Sequence, residues 1–177
     1  MRGRTAHTDD GAPPAPALAR TLILATMTTP TPPAAVHLVV GYDGSPPAER
    51  ALDAAVRLLQ GRTGSITVVY VAHLSSVVMF SAGAIAEMEA GFDDVERDLR
   101  AAAAEQLRDA GADWDFERRQ GEISDELIAV ATGIRDAHSD ETVAIVVGSS
   151  SSAAHRIVGS AAVALARHSP VALVIVP

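Results

Sequence analysis

The chain has 177 residues, which suits one domain, and it carries a formal net charge of −8 with 48% hydrophobic and 20% charged residues. All 14 basic residues are arginine and there is no cysteine, so a Walker-A lysine, Schiff-base chemistry, disulfides and thiolate chemistry are excluded. The acidic balance argues against binding to nucleic acids or to anionic membranes.

Residues 1–35 are predicted to form a disordered extension rich in proline, threonine and alanine. Six of the 10 prolines lie there and no apolar periodicity runs through it, so it should not pack as a helix or a central strand. The apolar run Leu22–Ala25 is too short for a signal peptide. Met1 and Met27 both stay open as the start, and with no targeting signal or membrane span evident we expect a cytoplasmic protein.

Residues 36–177 are predicted to form one domain in which strands and helices alternate. The apolar run Val36–Val40 predicts a first strand. Apolar residues three and four apart over Ala48–Leu59 predict a helix, which Ser45 caps and Pro46 begins. Later elements follow the same patterns: a strand at Ile66–Val71, a long helix at Ile85–Ala102, a half-exposed strand at Trp114–Phe116, a helix at Ile123–Ile134, a strand at Thr142–Val147, a helix ending near His168 and a strand at Val171–Val176.

This alternation of elements, with short connections and with strands that mostly lack an apolar–polar alternation, predicts an α/β fold with a parallel sheet covered by helices on both faces. The strand around Trp114 alternates apolar and charged residues, so we expect it at or near an edge. In open sheets of this kind, ligands bind beyond the carboxyl ends of the strands, where the strand order reverses. The loops that follow strands are therefore the candidate sites.

Asp43 follows the first strand directly and precedes the helix cap. One interpretation is a turn aspartate that accepts hydrogen bonds from backbone N–H groups. The other is an acceptor for a ligand hydroxyl or amine, or a carboxylate near a metal on a phosphate. The residues of this loop alone leave both interpretations open.

A glycine- and serine-rich loop follows the fourth strand, from Gly148 and Ser149 through Arg156 to Gly159 and Ser160. Small residues let a backbone approach a ligand closely, and the N–H groups at a helix start favour an anion. Arg156 is a candidate for a charge-assisted contact to phosphate. An ordinary polar loop with a capping serine is the alternative.

Several segments resemble the universal stress protein (UspA-type) family. They are V-V-G-Y-D-G-S-P-P-A-E-R-A-L-D-A-A at Val39–Ala55, I-T-V-V-Y-V at Ile66–Val71, I-V-V-G-S-S-S at Ile145–Ser151, I-V-G-S at Ile157–Ser160 and A-R-H-S-P-V-A-L-V-I-V-P at Ala166–Pro177. The resemblance implies an open, Rossmann-like parallel sheet of strand order 3-2-1-4-5. It also implies a homodimer paired through Val171–Val176 and a role in the stress response.

The same resemblance implies a binding site for ATP, with or without Mg²⁺. Matched to the members that bind ATP, the site residues are Asp43, Val71, Gly148, Ser149, Ser151, Arg156, Gly159 and Ser160. Ser151 stands where those members have a second glycine, and the loop is shorter than theirs. A dimer that binds no ATP and acts as a protein-interaction module is therefore the alternative.

Neither an enzyme nor a metal site is predicted. The sequence shows no paired carboxylates and no Ser-His-Asp spacing, so we expect binding without catalysis. His37 is interpreted as a packed or edge residue of the first strand, and His138 as a solvated residue at a helix end. No group of histidines and carboxylates has the linear spacing typical of metal ligands.

Overall fold

A computed structural model of the chain describes residues 34–72, 82–149 and 160–177. The predicted extension, except residues 34 and 35, and most of the glycine- and serine-rich loop lie outside the described residues. None of the described helices is both long and apolar enough to cross a membrane.

Five strands and four helices alternate along the described chain, in the order that the apolar patterns predict. They are β1 (Val36–Gly41), α1 (Pro46–Leu59), β2 (Gly64–Ala72), α2 (Ala82–Leu107), β3 (Asp113–Gln120), α3 (Ile123–Ala137), β4 (Thr142–Gly148), α4 (Ser160–His168) and β5 (Ala172–Val176). All neighbouring strands pair in parallel, in the order β3-β2-β1-β4-β5. The predicted fold class and strand order are confirmed.

The sheet has a separate apolar core on each face. Successive side chains of a strand point to opposite faces, and the central strand β1 shows this directly. Leu38 and Val40 pack with Leu52 of α1 in one cluster. Val39 packs with Leu127 of α3 and Leu165 of α4 in the other. Because both faces of β1 are covered, its residues Leu38–Val40 are apolar without alternation in the sequence.

The two edges of the sheet differ in character. Strand β3 carries charged residues between Trp114 and Phe116 and beyond them, and its edge position is the one predicted. Strand β5, with the sequence ALVIV, has no charged residue and keeps four of its five residues only partly buried. Charged side chains at a sheet edge discourage pairing with a strand of another chain. Of the two described edge strands, β5 is therefore the one suited to such pairing.

At the amino ends of the strands, His37, His138 and Glu141 lie together, and we call them the His37–His138–Glu141 cluster. Glu141 Oε2 is 2.5 Å from His37 Nε2 and 2.9 Å from His138 Nδ1. The hydrogen bond from His37, assisted by the nearby His138, lowers the pKa of the Glu141 carboxyl below its ordinary value. The carboxylate is therefore ionised at neutral pH.

Candidate functional site

A cleft of about 320 Å³ opens at the carboxyl ends of the central strands. The ends of β1, β2 and β4 and the beginnings of α1, α3 and α4 supply its described lining. Strands β1 and β4 are neighbours in the sheet although β2 and β3 lie between them in the chain. The cleft therefore lies at the point where the strand order reverses, which is where ligands bind in open sheets of this class.

The turn between β1 and α1 forms one wall of the cleft. Asp43 Oδ1 accepts a hydrogen bond of 3.0 Å from the N–H of Ser45, and Ser45 Oγ accepts one of 3.4 Å from the N–H of Ala48. Gly44, with φ of +74°, supplies the left-handed residue that this turn requires. Asp43 thus stabilises the turn, as one of the two interpretations predicted. Its carboxylate is exposed and accepts only this one hydrogen bond from the described residues, so its oxygens can accept further hydrogen bonds from a ligand.

Tyr42 anchors the same turn to the sheet. Its N–H donates to the Val69 carbonyl at 2.9 Å, and its side chain is buried. Burial raises the pKa of the Tyr42 phenol, and the charges of Glu49 and Asp43 raise it further. The hydroxyl therefore stays protonated and neutral well above neutral pH.

The floor of the cleft is apolar. Val69 and Leu127 are fully or almost fully buried beneath it, and Val71 is half-buried. Ile123, the first residue of α3, lines the mouth with 38% of its surface exposed. A large apolar side chain left exposed at the rim of a cleft is suited to covering a flat apolar ligand group.

Gly148 ends β4 where the strand passes close to the first turn of α1. A Cβ added at Gly148 would collide with the backbone carbonyl of Pro47 and would lie 2.7 Å from the Pro47 Cβ. The glycine is therefore required by packing between β4 and α1, independently of any ligand. Since both residues line the cleft, this packing also fixes the cleft's width.

The beginning of α4 forms another wall of the cleft. Ser160 is exposed and lines the cleft together with Ala161 and Ala162. The first N–H groups of a helix have no partner within the helix, and they favour an anion. The cleft therefore combines an apolar floor, a carboxylate and a helix N-terminus.

The structure brings together four of the predicted site residues: Asp43, Val71, Gly148 and Ser160 all line the cleft. Ser149 is not part of the described lining, and its N–H donates to the Val176 carbonyl at 2.7 Å. The predicted contacts of Ser151, Arg156 and Gly159 lie outside the described residues. These assignments as ligand contacts stay predictions.

The sequence analysis did not identify several other lining residues as site residues, among them Pro47, Ile123 and Leu127. The apolar spacing of α3 marked Ile123 and Leu127 as one helix face, but it does not show that this face ends at a cleft. The signal that was available is position, because both residues lie in the first two turns of the helix that follows β3, and helix starts after strands border the ligand edge of the sheet.

Residues 36–177 match the family model of the universal stress protein family. A comparison with curated proteins finds no match. The family model begins with the first residue of β1 and extends to the last residue of the chain. It covers every described strand and helix.

Solved structures share the fold. One is the hypothetical protein MJ0577, with a TM-score of 0.67 and 15% identity over 81% of this chain and 96% of that one. Another is UspA from Lactobacillus plantarum, with a TM-score of 0.63 and 17% identity over 81% and 99%. A third is a universal stress protein in complex with cAMP, with a TM-score of 0.58 and 24% identity over 81% and 98%.

Proposed function

This chain belongs to the universal stress protein family, and we propose that its cleft binds an adenine nucleotide, with ATP as the expected ligand. The observation that carries the proposal is the cleft itself, which combines apolar lining residues with a carboxylate and a helix N-terminus at the reversal of strand order. A similar protein in complex with cAMP adds support from outside this chain. The proposal includes ATP both with and without a Mg²⁺ ion bound to its phosphates.

Each part of a nucleotide has a matching part of the cleft. The half-buried Val71 and the exposed Ile123 suit a flat purine. The Asp43 carboxylate, which has spare acceptor capacity, suits the ribose hydroxyls or the adenine amine. Ser160 and the N–H groups at the start of α4 suit the phosphates. The family resemblance adds Gly148, Ser149, Ser151, Arg156 and Gly159 to the phosphate side.

We infer further that the protein binds the nucleotide without turning it over and acts as a regulatory module in the stress response. Among the described residues of the cleft lining, Asp43 is the only one with a charged side chain. The Asp43 carboxylate already accepts a hydrogen bond from the Ser45 N–H. General-base catalysis needs a base within reach of the reacting group and a second residue that orients this base, and the described lining offers no second charged residue for that role.

Replacing Asp43 tests the nucleotide proposal. We expect wild-type protein to bind ATP in calorimetric titration with Mg²⁺, and Asp43→Asn to weaken the affinity about tenfold, because a charged acceptor becomes a neutral one. The asparagine side chain keeps an oxygen for the Ser45 N–H, so the turn and the unfolding midpoint should be unchanged.

Asp109→Asn is the matched control, since this exposed aspartate lies between α2 and β3 and does not line the cleft. It should bind ATP like the wild type. AMP and cAMP are titrated in parallel, to show whether the phosphate chain contributes affinity. If the wild type takes up none of the three at millimolar concentration, the proposal is wrong, and the alternative of an interaction module with an empty cleft is favoured.

We also propose a homodimer paired through β5. The strand is an uncharged edge whose apolar residues are only partly covered, whereas β3 at the opposite edge is charged. We expect sedimentation to give twice the chain mass of 18.3 kDa, and Leu173→Glu with Ile175→Glu to give a monomer, because charges protect an edge from pairing.

Val163→Glu is the control for the dimer, since Val163 is an apolar residue of α4 with 38% exposure and lies outside β5. It should leave the dimer intact. A wild-type monomer, or a dimer that survives both charges in β5, would contradict pairing through this strand.

A further inference from the structure

The His37–His138–Glu141 cluster lies at the end of the sheet opposite the cleft. His37 is the second residue of β1, and Glu141 directly precedes β4. The five residue steps from His37 to Tyr42 span about 17 Å of extended backbone. A ligand held by the cluster is therefore remote from the proposed nucleotide, and its binding can be measured separately.

We propose that this cluster binds a zinc ion through His37 Nε2, His138 Nδ1 and one carboxylate oxygen of Glu141. Two imidazoles and a carboxylate, with a water in the fourth position, are an established ligand set for Zn²⁺. Zinc binds imidazole in its neutral form, so the bound ligand set carries the single negative charge of Glu141, which complements the charge of the ion.

The separations of the three ligand atoms fit such an ion. Bonds of about 2.0–2.1 Å in a tetrahedron place ligand atoms about 3.4 Å apart. In the cluster, the carboxylate oxygen lies 2.5 and 2.9 Å from the two nitrogens, and all three ligand atoms lie within 4.8 Å of one another. Entry of the ion thus requires the carboxylate oxygen to withdraw by less than about an ångström and the two ring nitrogens to approach each other by up to about 1.4 Å, which side-chain torsions permit.

The backbone holds the ligands in place before any ion arrives. His37 lies within the parallel ladders of β1, opposite Ser65 on one side and Val143 on the other. His138 directly follows α3 as its C-cap and donates its N–H to the Ile134 carbonyl, and the Glu141 N–H donates to the His138 carbonyl at 3.0 Å. Two ligands therefore lie on one hydrogen-bonded turn and the third on a central strand, which is the preorganisation that a metal site needs.

Ser65 supplies the outer contact that metal-binding histidines usually have. Its Oγ lies 2.8 Å from His37 Nδ1. Without an ion, the proton on His37 Nε2 donates to Glu141. When Zn²⁺ occupies the Nε2 lone pair, the proton of the neutral ring must be on Nδ1, where Ser65 Oγ accepts it. A partner of this kind fixes the tautomer and orientation of a ligating ring.

The burial of the three side chains provides both an entry path and partial exclusion of water. The His37 side chain is 12% exposed, whereas those of Glu141 and His138 are 32% and 45% exposed. The inner ligand is thus largely shielded, which strengthens its interaction with an ion. The outer two are open to solvent, so an ion reaches the cluster without local unfolding.

Zinc titration of the untagged full chain tests this proposal after removal of metals with a chelator. We expect one equivalent to bind with micromolar or tighter affinity, in competition with a chromophoric chelator, and to raise the unfolding temperature by mass action. His138→Ala and Glu141→Gln should each weaken the affinity at least about tenfold, and Ser65→Ala about tenfold, as found for outer-shell partners of metal ligands.

His168→Ala is the matched control, because His168 also lies at the carboxyl end of a helix but is bonded to the Ala164 carbonyl, outside the cluster. It should bind zinc like the wild type. Both test residues in the loop, His138 and Glu141, are partly exposed, so their variants should fold normally. Zinc affinity that is unchanged in His138→Ala and Glu141→Gln, or that is lost equally in His168→Ala, would overturn the proposal.

Discussion

Gly148→Ala is expected to lower the free energy of unfolding by about 3 kcal/mol, at the upper end of the usual cost of overpacking. The added methyl group meets backbone atoms of Pro47, not the flexible end of a side chain. Pro47 is itself held in the first turn of α1, where the Ser45 cap and two prolines fix the backbone. Urea unfolding of the variant measures the effect.

Gly133→Ala is the control for this substitution. Gly133 lies on the exposed side of α3, and no atom beyond its own helix turn approaches an added Cβ within 4 Å. Alanine in a helix interior is favoured over glycine, so this variant should gain about 0.5–1 kcal/mol. Equal stability of Gly148→Ala and the wild type would show that β4 and α1 do not approach each other as closely as the structure has them.

The packing role of Gly148 limits what Gly148→Ala can show about nucleotide binding. Relief of the Gly148 collision moves β4 away from α1, and both elements line the cleft. A loss of nucleotide binding in Gly148→Ala therefore does not identify Gly148 as a phosphate contact. Substitutions of Ser160, whose side chain is exposed, separate the phosphate contact from the packing.

Local patterns in the sequence are sufficient for most of the fold. The apolar run Val36–Val40 and the cap at Ser45 act within a few residues, and both are found where they were predicted. The alternation around Trp114 likewise predicts the edge position of β3. In each case the physical cause is local, because strand period and helix capping are set by neighbouring residues.

Local sequence patterns do not predict the roles of residues that depend on contact between distant segments of the chain. Glycine after an apolar strand is equally expected of a phosphate loop and of close packing, and only the position of Pro47 shows the packing. His37 and Glu141 are separated by 104 positions, and the pairing of β1 with β4 brings them together. Linear spacing therefore identified neither the packing role of Gly148 nor the histidine cluster.

Leu127→Ala is expected to lower the free energy of unfolding by about 2–5 kcal/mol, the usual cost of truncating a buried leucine. Leu127 is fully buried among the apolar residues of β1, β4 and α4. It also packs tightly over the end of β1, since a Cβ at Gly41 would lie 3.2 Å from its Cδ1. Thermal and urea unfolding, with and without ATP, measure the loss.

Leu165→Ala separates the role of Leu127 in the cleft from its role in the core. Leu165 is equally buried in the same cluster but does not line the cleft, so its truncation should cost a similar 2–5 kcal/mol, by the same cavity argument. ATP affinity should fall only in Leu127→Ala, because the cavity in that variant opens beneath the ligand. Equal ATP affinity in the two variants would show that the nucleotide does not rest on the floor that Leu127 supports.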